Sequence, residues 1–165
     1  MNVAEIVIAQ AQEADLGGIF ELARTNGPEN GGRLAVRFTR EQIASSIQAS
    51  PAVVARQGGE VIGFVLTRDK KAANPPIIEA MFRAYPGGEN AYSYGPVCVD
   101  ASARGLGIAA RMFEELRKIL PEREGVLFIK ASNEPSLRAH RKMDMREVSE
   151  FVFEDTHLIV FAYQG

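Results

Sequence analysis

The chain of 165 residues has one cysteine, two histidines and no tryptophan. One cysteine excludes an internal disulfide, and with only two histidines beside it no metal-ligand cluster has its donors. The amino terminus lacks a basic leader region, and Glu5 interrupts its only apolar run, so neither a signal peptide nor a membrane span is expected. An excess of one charge is missing too. Lys and Arg number 19 against 21 Asp and Glu, a net charge of −2, which gives no electrostatic case for nucleic acid or a membrane surface. Repeats and low-complexity stretches are absent. What remains is a 46% hydrophobic chain, long enough for one globular domain over residues 1–165 with a real core, expected in the cytoplasm and without a metal.

Against this background the run Val97-Cys98-Val99-Asp100-Ala101-Ser102-Ala103-Arg104-Gly105-Leu106-Gly107-Ile108-Ala109 stands out. A β-type stretch passes through a short polar turn and opens an amphipathic helix behind a basic residue and two glycines. A helix start of this kind directs unpaired N–H groups and the positive end of the helix dipole at one point. Gly105 and Gly107 lack a Cβ, so an anion can approach their backbone, and Arg104 adds positive charge. The segment reads as a phosphate cradle. Cys98, in an apolar strand with no base near it in sequence, reads as a small buried hydrophobe and not as a nucleophile.

Gly105-x-Gly107-x-x-Ala110 also satisfies the glycine fingerprint of dinucleotide-binding folds. There, an acidic residue ends the next strand and much of a sheet is still to come. Here 55 residues follow Ala110, and the next strand, 126–130, runs into Ala131-Ser132-Asn133 without a carboxylate. A nicotinamide-dependent oxidoreductase is therefore the weaker reading. Arg104-x-x-Gly107-x-Ala109 instead resembles the R/Q-x-x-G-x-G/A pyrophosphate signature of the GCN5-related N-acetyltransferases, the GNAT family. Ser136 to Met145 resembles, in altered form, the helix that follows the next strand in that family. The family's usual glycine and phenylalanine there are replaced by Asp144 and Met145. Asp tolerates the left-handed conformation of a helix stop, so the change costs modest stability.

The remaining pattern agrees in order. A first strand is expected at 3–9, and a helix at 15–26 places Leu16, Ile19, Phe20, Leu22 and Ala23 on one face before the Asn26-Gly27-Pro28 break. Thr39-x-x-Gln42 predicts a capping box for a second helix carrying Ile43 and Ile47. Strands at 51–55 and 61–66 flank Gly58-Gly59 as a hairpin, and 91–99 forms the next strand. Ala109, Met112, Phe113, Leu116, Ile119 and Leu120 form the apolar face of the helix after the cradle, which Pro121 stops. Gly125 to Ile129 reads as a buried strand, Asn133-Glu134-Pro135-Ser136 as a helix start, and 147–153 with 157–163 as a hairpin around Glu154-Asp155-Thr156. The fold class is α/β (α+β), with a mixed, mostly antiparallel sheet of about seven strands flanked by about four helices, as in the GNAT fold. Two segments stay open. The 27–37 connection lies over the acceptor in the resembled family. The apolar stretch 74–88 is either a short helix capping the acceptor cleft or a patch for dimer contacts. A homodimer is favoured only by the general prevalence of dimers.

The resemblance implies transfer of the acetyl group of acetyl-CoA, as co-substrate, to a primary amine on a small molecule or a protein. The main chain of Val97, Cys98 and Val99 would take the acetyl and pantetheine arm, with Pro96 suited to a bulge. Arg104, Gly105, Leu106, Gly107, Ile108 and Ala109 would hold the pyrophosphate, with Asn133 and Ser136 along the far side of the arm. His140 stands where the family most often has a tyrosine that protonates the departing thiolate, and its ordinary pKa suits the task. The alternative is a solvent-facing helical histidine. For the general base, Glu79, Tyr94 and Asp100 are considered. Asp100 reads as a turn residue, and no base is assigned. A non-catalytic acyl-CoA sensor would keep the cradle and lose the acid–base groups.

Overall fold

In a computed structural model the described residues are 5–27, 34 and 37–165. Val3, where the first strand was expected to begin, and most of the 27–37 connection lie outside them. Among the described residues seven strands hydrogen-bond in the order β1-β2-β3-β4-β5-β7-β6, and five α-helices connect them. The chain divides into two compact units, residues 1–67 with 96–120 and residues 68–95 with 121–165. Strands β3 (Glu60–Asp69) and β4 (Tyr92–Val99) each contribute to both.

In the first unit, β1 (Ile6–Gln10) pairs antiparallel with β2 (Val53–Gln57), and β2 with β3 across the predicted Gly58-Gly59 turn. Helix α1 (Leu16–Thr25) buries Ile19, Leu22 and Ala23, the face expected from their spacing. Helix α2 (Arg40–Ala49) starts with the predicted capping box: the Thr39 side chain accepts from Gln42 N–H, and the Gln42 side chain accepts from Thr39 N–H. These helices and strands enclose one cluster containing Ile19, Leu22, Ile43, Val54, Phe64, Leu66 and Cys98. Helix α4 (Ile108–Ile119) packs against β1 and β2 through an inward face of Ile108, Met112, Phe113 and Leu116. Ile108 is the buried member at its start; Ala109, expected on that face, lies at its flank.

Asp15, 7% exposed, fastens the start of α1 to β2. Its Oδ1 accepts from Arg56 Nε at 2.8 Å, and its Oδ2 from Arg56 Nη2 at 2.5 Å and from Gln12 N–H at 2.8 Å. The Arg56 hydrogen bonds hold its carboxyl below the usual carboxylate range, against the opposing effect of burial. A carboxyl pKa depressed by folding adds stability above the unfolded value and loses it as pH falls through the folded one. Asp15→Asn should therefore lower unfolding stability at neutral pH by about 2 kcal/mol, since Arg56 keeps a solvent-reachable, unmatched charge. It should also flatten the acid limb below about pH 4. Chemical denaturation from pH 3 to 7 checks both; an unchanged acid limb would remove the pair as its cause.

In the second unit, β5 (Glu124–Lys130) pairs antiparallel with β7 (Thr156–Gln164), and β7 with β6 (Arg146–Phe153). The β6–β7 turn needs only Glu154 and Asp155, at φ 47° and 64°, so Thr156 opens β7 and does not belong to the turn. The apolar stretch 74–88 contains a fifth helix, α3 (Pro76–Ala84), one more than the expected count. Its buried face of Ile77, Ile78, Met81 and Phe82 packs toward β6. Glu124 secures the following turn, accepting from Tyr85 Oη at 2.8 Å and Gly88 N–H at 2.6 Å. Helix α5 (Glu134–Lys142) starts on Asn133, whose side chain accepts from Ser136 N–H, and Asp144 follows its end at φ 63°, the left-handed stop expected of it. No helix among the described residues is long and apolar enough to cross a membrane.

Candidate functional site

In the first unit, the end of β4 runs into a single 3₁₀ turn over Ala101–Ala103, and then into α4. Asp100 caps that turn, its carboxylate accepting from Ser102 N–H, so it is the turn residue its sequence suggested. Strand alternation sends Cys98 into the core and leaves Val97 and Val99 half-buried on the other face. Burial pushes the Cys98 thiol up to about 12, so it is no thiolate near neutrality. Gly105 and Gly107 have φ values of 83° and 73°, and a Cβ at either would meet nothing within 4 Å. Leu106 between them is 60% exposed. Gly107 is the residue before α4 and supplies no side-chain cap, and the first turn has no acidic side chain. The N–H groups of Ile108, Ala109 and Ala110 consequently have no acceptor within the helix, whose first bond runs from Arg111 N–H to Gly107 O at 3.1 Å. Backbone donors, dipole and open surface thus converge, the arrangement that binds phosphate oxygens.

Arg104 plays a part that sequence spacing did not reveal. Its Nε donates to Val99 O at 3.2 Å, and its Nη2 to Asn26 Oδ1 at 2.9 Å. The guanidinium braces the loop between the end of β4 and the end of α1. Asn26 carried no local signal for this contact, because its partner lies 78 residues away.

The second unit, taken by itself, holds the other candidate side chains. β4 pairs in parallel with β5 at Tyr92↔Gly125 and Ser93↔Val126 only. Tyr94, the next residue, is 2% exposed and packs edge-on against His140, with ring centroids 6.3 Å apart at 83°. His140 is 6% exposed, which overturns its reading as a solvent-facing residue. The burial was legible. Leu137 and His140 lie three residues apart on a helix whose intervening and following positions are Arg138, Ala139, Arg141 and Lys142. His140 Nδ1 lies 2.7 Å from Ser136 O and 3.3 Å from Ser136 Oγ. Burial lowers its proton affinity, and the Ser136 carbonyl partly opposes that. Burial also raises the Tyr94 phenol well above its ordinary value, so it is not a ready proton source or base. Asn133 and Ser136 are half-buried and already spend polar atoms on the start of α5. Glu79 lies on the exposed side of α3, away from that helix's buried face. Among the described residues no cluster of His, Cys, Asp and Glu could hold a metal ion.

The sequence profile of the acetyltransferase (GNAT) family matches residues 18–145. The chain belongs to the GNAT acetyltransferase family and is an acyltransferase, which answers the dinucleotide reading of its glycines. Among curated proteins none matches it in sequence. Solved structures share its fold at low identity. Arabidopsis thaliana NAA60 in complex with acetyl-CoA superimposes with a TM-score of 0.73 at 20% identity, covering 97% of this chain and 99% of that one. A ribosomal-protein-alanine N-acetyltransferase from Brucella melitensis gives 0.72 at 21% identity, over 96% and 99%. An N-acetyltransferase from Staphylococcus aureus Mu50 gives 0.70 at 21% identity, over 98% and 99%.

Proposed function

We propose that this protein transfers the acetyl group of acetyl-CoA directly to a primary amine, on a small molecule or a protein, without a covalent acyl-enzyme. The open Gly105–Gly107 loop at the uncapped start of α4 carries the reading, because its free N–H groups and open space suit a pyrophosphate such as that of CoA. Acetyl-CoA bound to the similar NAA60, and a bisubstrate analogue bound to that same protein, support it. The family profile runs through residues of both units, which supports one acetyltransferase domain over residues 1–165.

Thioester chemistry sets the demands. The acyl group is already activated, so the protein must hold it, accept or exclude protons at the amine and see a thiolate depart. In this reading Arg104 to Ala109 bind the pyrophosphate through main-chain N–H groups. Val97 to Val99 offer the main chain of a strand end to the pantetheine arm. No cysteine nucleophile is used: Cys98 is buried and protonated.

Thermal unfolding with acetyl-CoA, CoA and NADH in parallel tests this. A ligand at about a hundred times its Kd adds about 2.7 kcal/mol, a rise of about 5–10 °C for a chain of this size. Both CoA species should shift the transition and NADH should not. Acetyl-CoA without effect would end the reading, and binding without turnover on an amine panel would overturn the primary-amine acceptor.

A further inference from the structure

Packing does not hold the Gly105–Gly107 loop in shape. Gly105, Leu106 and Gly107 are exposed, and a Cβ at either glycine would meet nothing within 4 Å. Glycines in open space keep wide backbone freedom unless something outside them restricts it, and ordering them on binding costs affinity. The loop is therefore as ordered as its two ends. At one end Ile108, 2% exposed, anchors the start of α4 in the core. The other end is Arg104, whose main-chain N–H reaches Ala101 O only at 3.5 Å, so its side chain is the firmer hold. Two bonds from one planar guanidinium, Nε to Val99 O and Nη2 to Asn26 Oδ1, fix both its position and its plane. Val99 lies on the strand that feeds the loop, whereas Asn26 ties it to a separate element, the end of α1.

Asn26 is itself held firmly. Its Nδ2 donates to Leu22 O at 3.0 Å, and its main-chain N–H to the same carbonyl at 3.2 Å. Its carbonyl accepts from Leu34 N–H at 3.1 Å, and the Leu34 side chain belongs to the core cluster. An arginine only donates and a main-chain carbonyl only accepts, so these contacts fix the amide, with Nδ2 toward Leu22 and Oδ1 offered to Arg104. All of these residues belong to the first unit. A chain of directed bonds thus runs from the core through Asn26 and Arg104 to the first glycine.

We propose that Asn26 is a positioning residue for acetyl-CoA, acting through Arg104 to keep the Gly105–Gly107 backbone in its phosphate-receiving shape before the ligand arrives. The role rests on the acetyl-CoA reading above. It gives the Arg104 side chain a bracing part and leaves the phosphates to main-chain N–H groups.

A double-mutant cycle on the full chain, read by calorimetry with acetyl-CoA and with CoA, decides it. Asn26→Ala should weaken both ligands by about tenfold, and Arg104→Ala by at least as much. Adding Asn26→Ala to Arg104→Ala should change affinity by less than about twofold, because the bond is already gone. An Asn26 that only finishes α1 would lower stability without touching affinity, or weaken binding by the same factor in both backgrounds, and either result overturns the role. Asn26→Asp, whose carboxylate still accepts from Arg104, should bind within about threefold of wild type at high salt, where its added charge is screened. A tenfold loss there overturns the role as well, and this variant decides the matter if the alanine variant does not fold. In nitrogen-15 NMR of the free protein the Gly105 and Gly107 amides should shift or broaden in Asn26→Ala, and unmoved resonances overturn the bracing. Failure of wild type to bind acetyl-CoA overturns the acetyl-CoA reading and this role with it, whereas wild-type binding undiminished in Asn26→Ala overturns the role alone.

Discussion

Replacing Gly125 by alanine is expected to destabilise this protein by about 4 kcal/mol or more, enough to lower Tm by about 8–16 °C. Gly125 sits inside β5, opposite Tyr92 of β4 on one side and Tyr163 of β7 on the other. The Tyr163 ring folds across the glycine, and its hydroxyl hydrogen-bonds the Tyr92 hydroxyl. An alanine Cβ would fall within the Tyr163 ring, overlapping its carbon atoms and its hydroxyl. Neither side can yield cheaply. The β5 backbone is held by ladders on both sides, and Tyr163 is 4% exposed, edge-on to Tyr92 at 6.2 Å and Tyr94 at 5.6 Å. Turning the ring away would also break a buried hydroxyl pair, adding about 1–3 kcal/mol to the cost of overpacking. A double-mutant cycle checks the cause. Gly125→Ala in a Tyr163→Ala background should cost far less than in the wild type, leaving a coupling energy of roughly 1–3 kcal/mol. Additive effects would mean that the glycine matters for some reason other than the tyrosine laid over it.

That contact also shows where sequence reading stops. Features written in local spacing were legible: the Thr39–Gln42 capping box, the Gly58-Gly59 hairpin, the apolar stripe of α4 and the glycine loop before it. Each depends on residues within a turn or two of one another, where backbone preference and side-chain direction act alone. Helix α3 was half legible. Its apolar residues were evident, but only packing toward β6 separates a helix from a sticky loop. What was not legible depends on partners distant in the chain. Nothing near Gly125 announces Tyr163, nothing near Asn26 announces Arg104, and nothing near Asp15 announces Arg56. His140 is intermediate. Its burial follows from helical spacing with Leu137, but the proton on Nδ1 is assigned by a carbonyl one turn back that only the folded helix brings into line. The candidate phosphate loop was therefore read more fully than the acid–base chemistry, because a phosphate site is made of backbone and a proton-transfer site of side chains.

The second large effect concerns that loop. Gly107→Asp should weaken acetyl-CoA binding by about a hundredfold or more while changing the stability of the unliganded protein by no more than about 1 kcal/mol. The two halves of this expectation have separate causes. Gly107 is at φ 73°, and a Cβ there would have nothing within 4 Å, so a side chain enters open space at the cost of a left-handed backbone. Aspartate is among the residues that tolerate this conformation, and Asp144 and Asp155 already adopt it in this chain. A carboxylate next to the α4 start also interacts favourably with the helix dipole, offsetting part of that cost. For the pyrophosphate the same carboxylate is a competitor. It places a negative charge where the N–H groups of Ile108, Ala109 and Ala110 converge, in direct competition with the phosphate oxygens. Gly107→Asn separates the two causes, since it brings similar bulk without the charge and should retain most of the affinity. Calorimetry with acetyl-CoA on the three proteins, at two salt concentrations, reads the difference directly. The aspartate penalty should shrink at high salt, because the repulsion is partly exposed to solvent. Equal affinities across the three would place the pyrophosphate somewhere other than the start of α4.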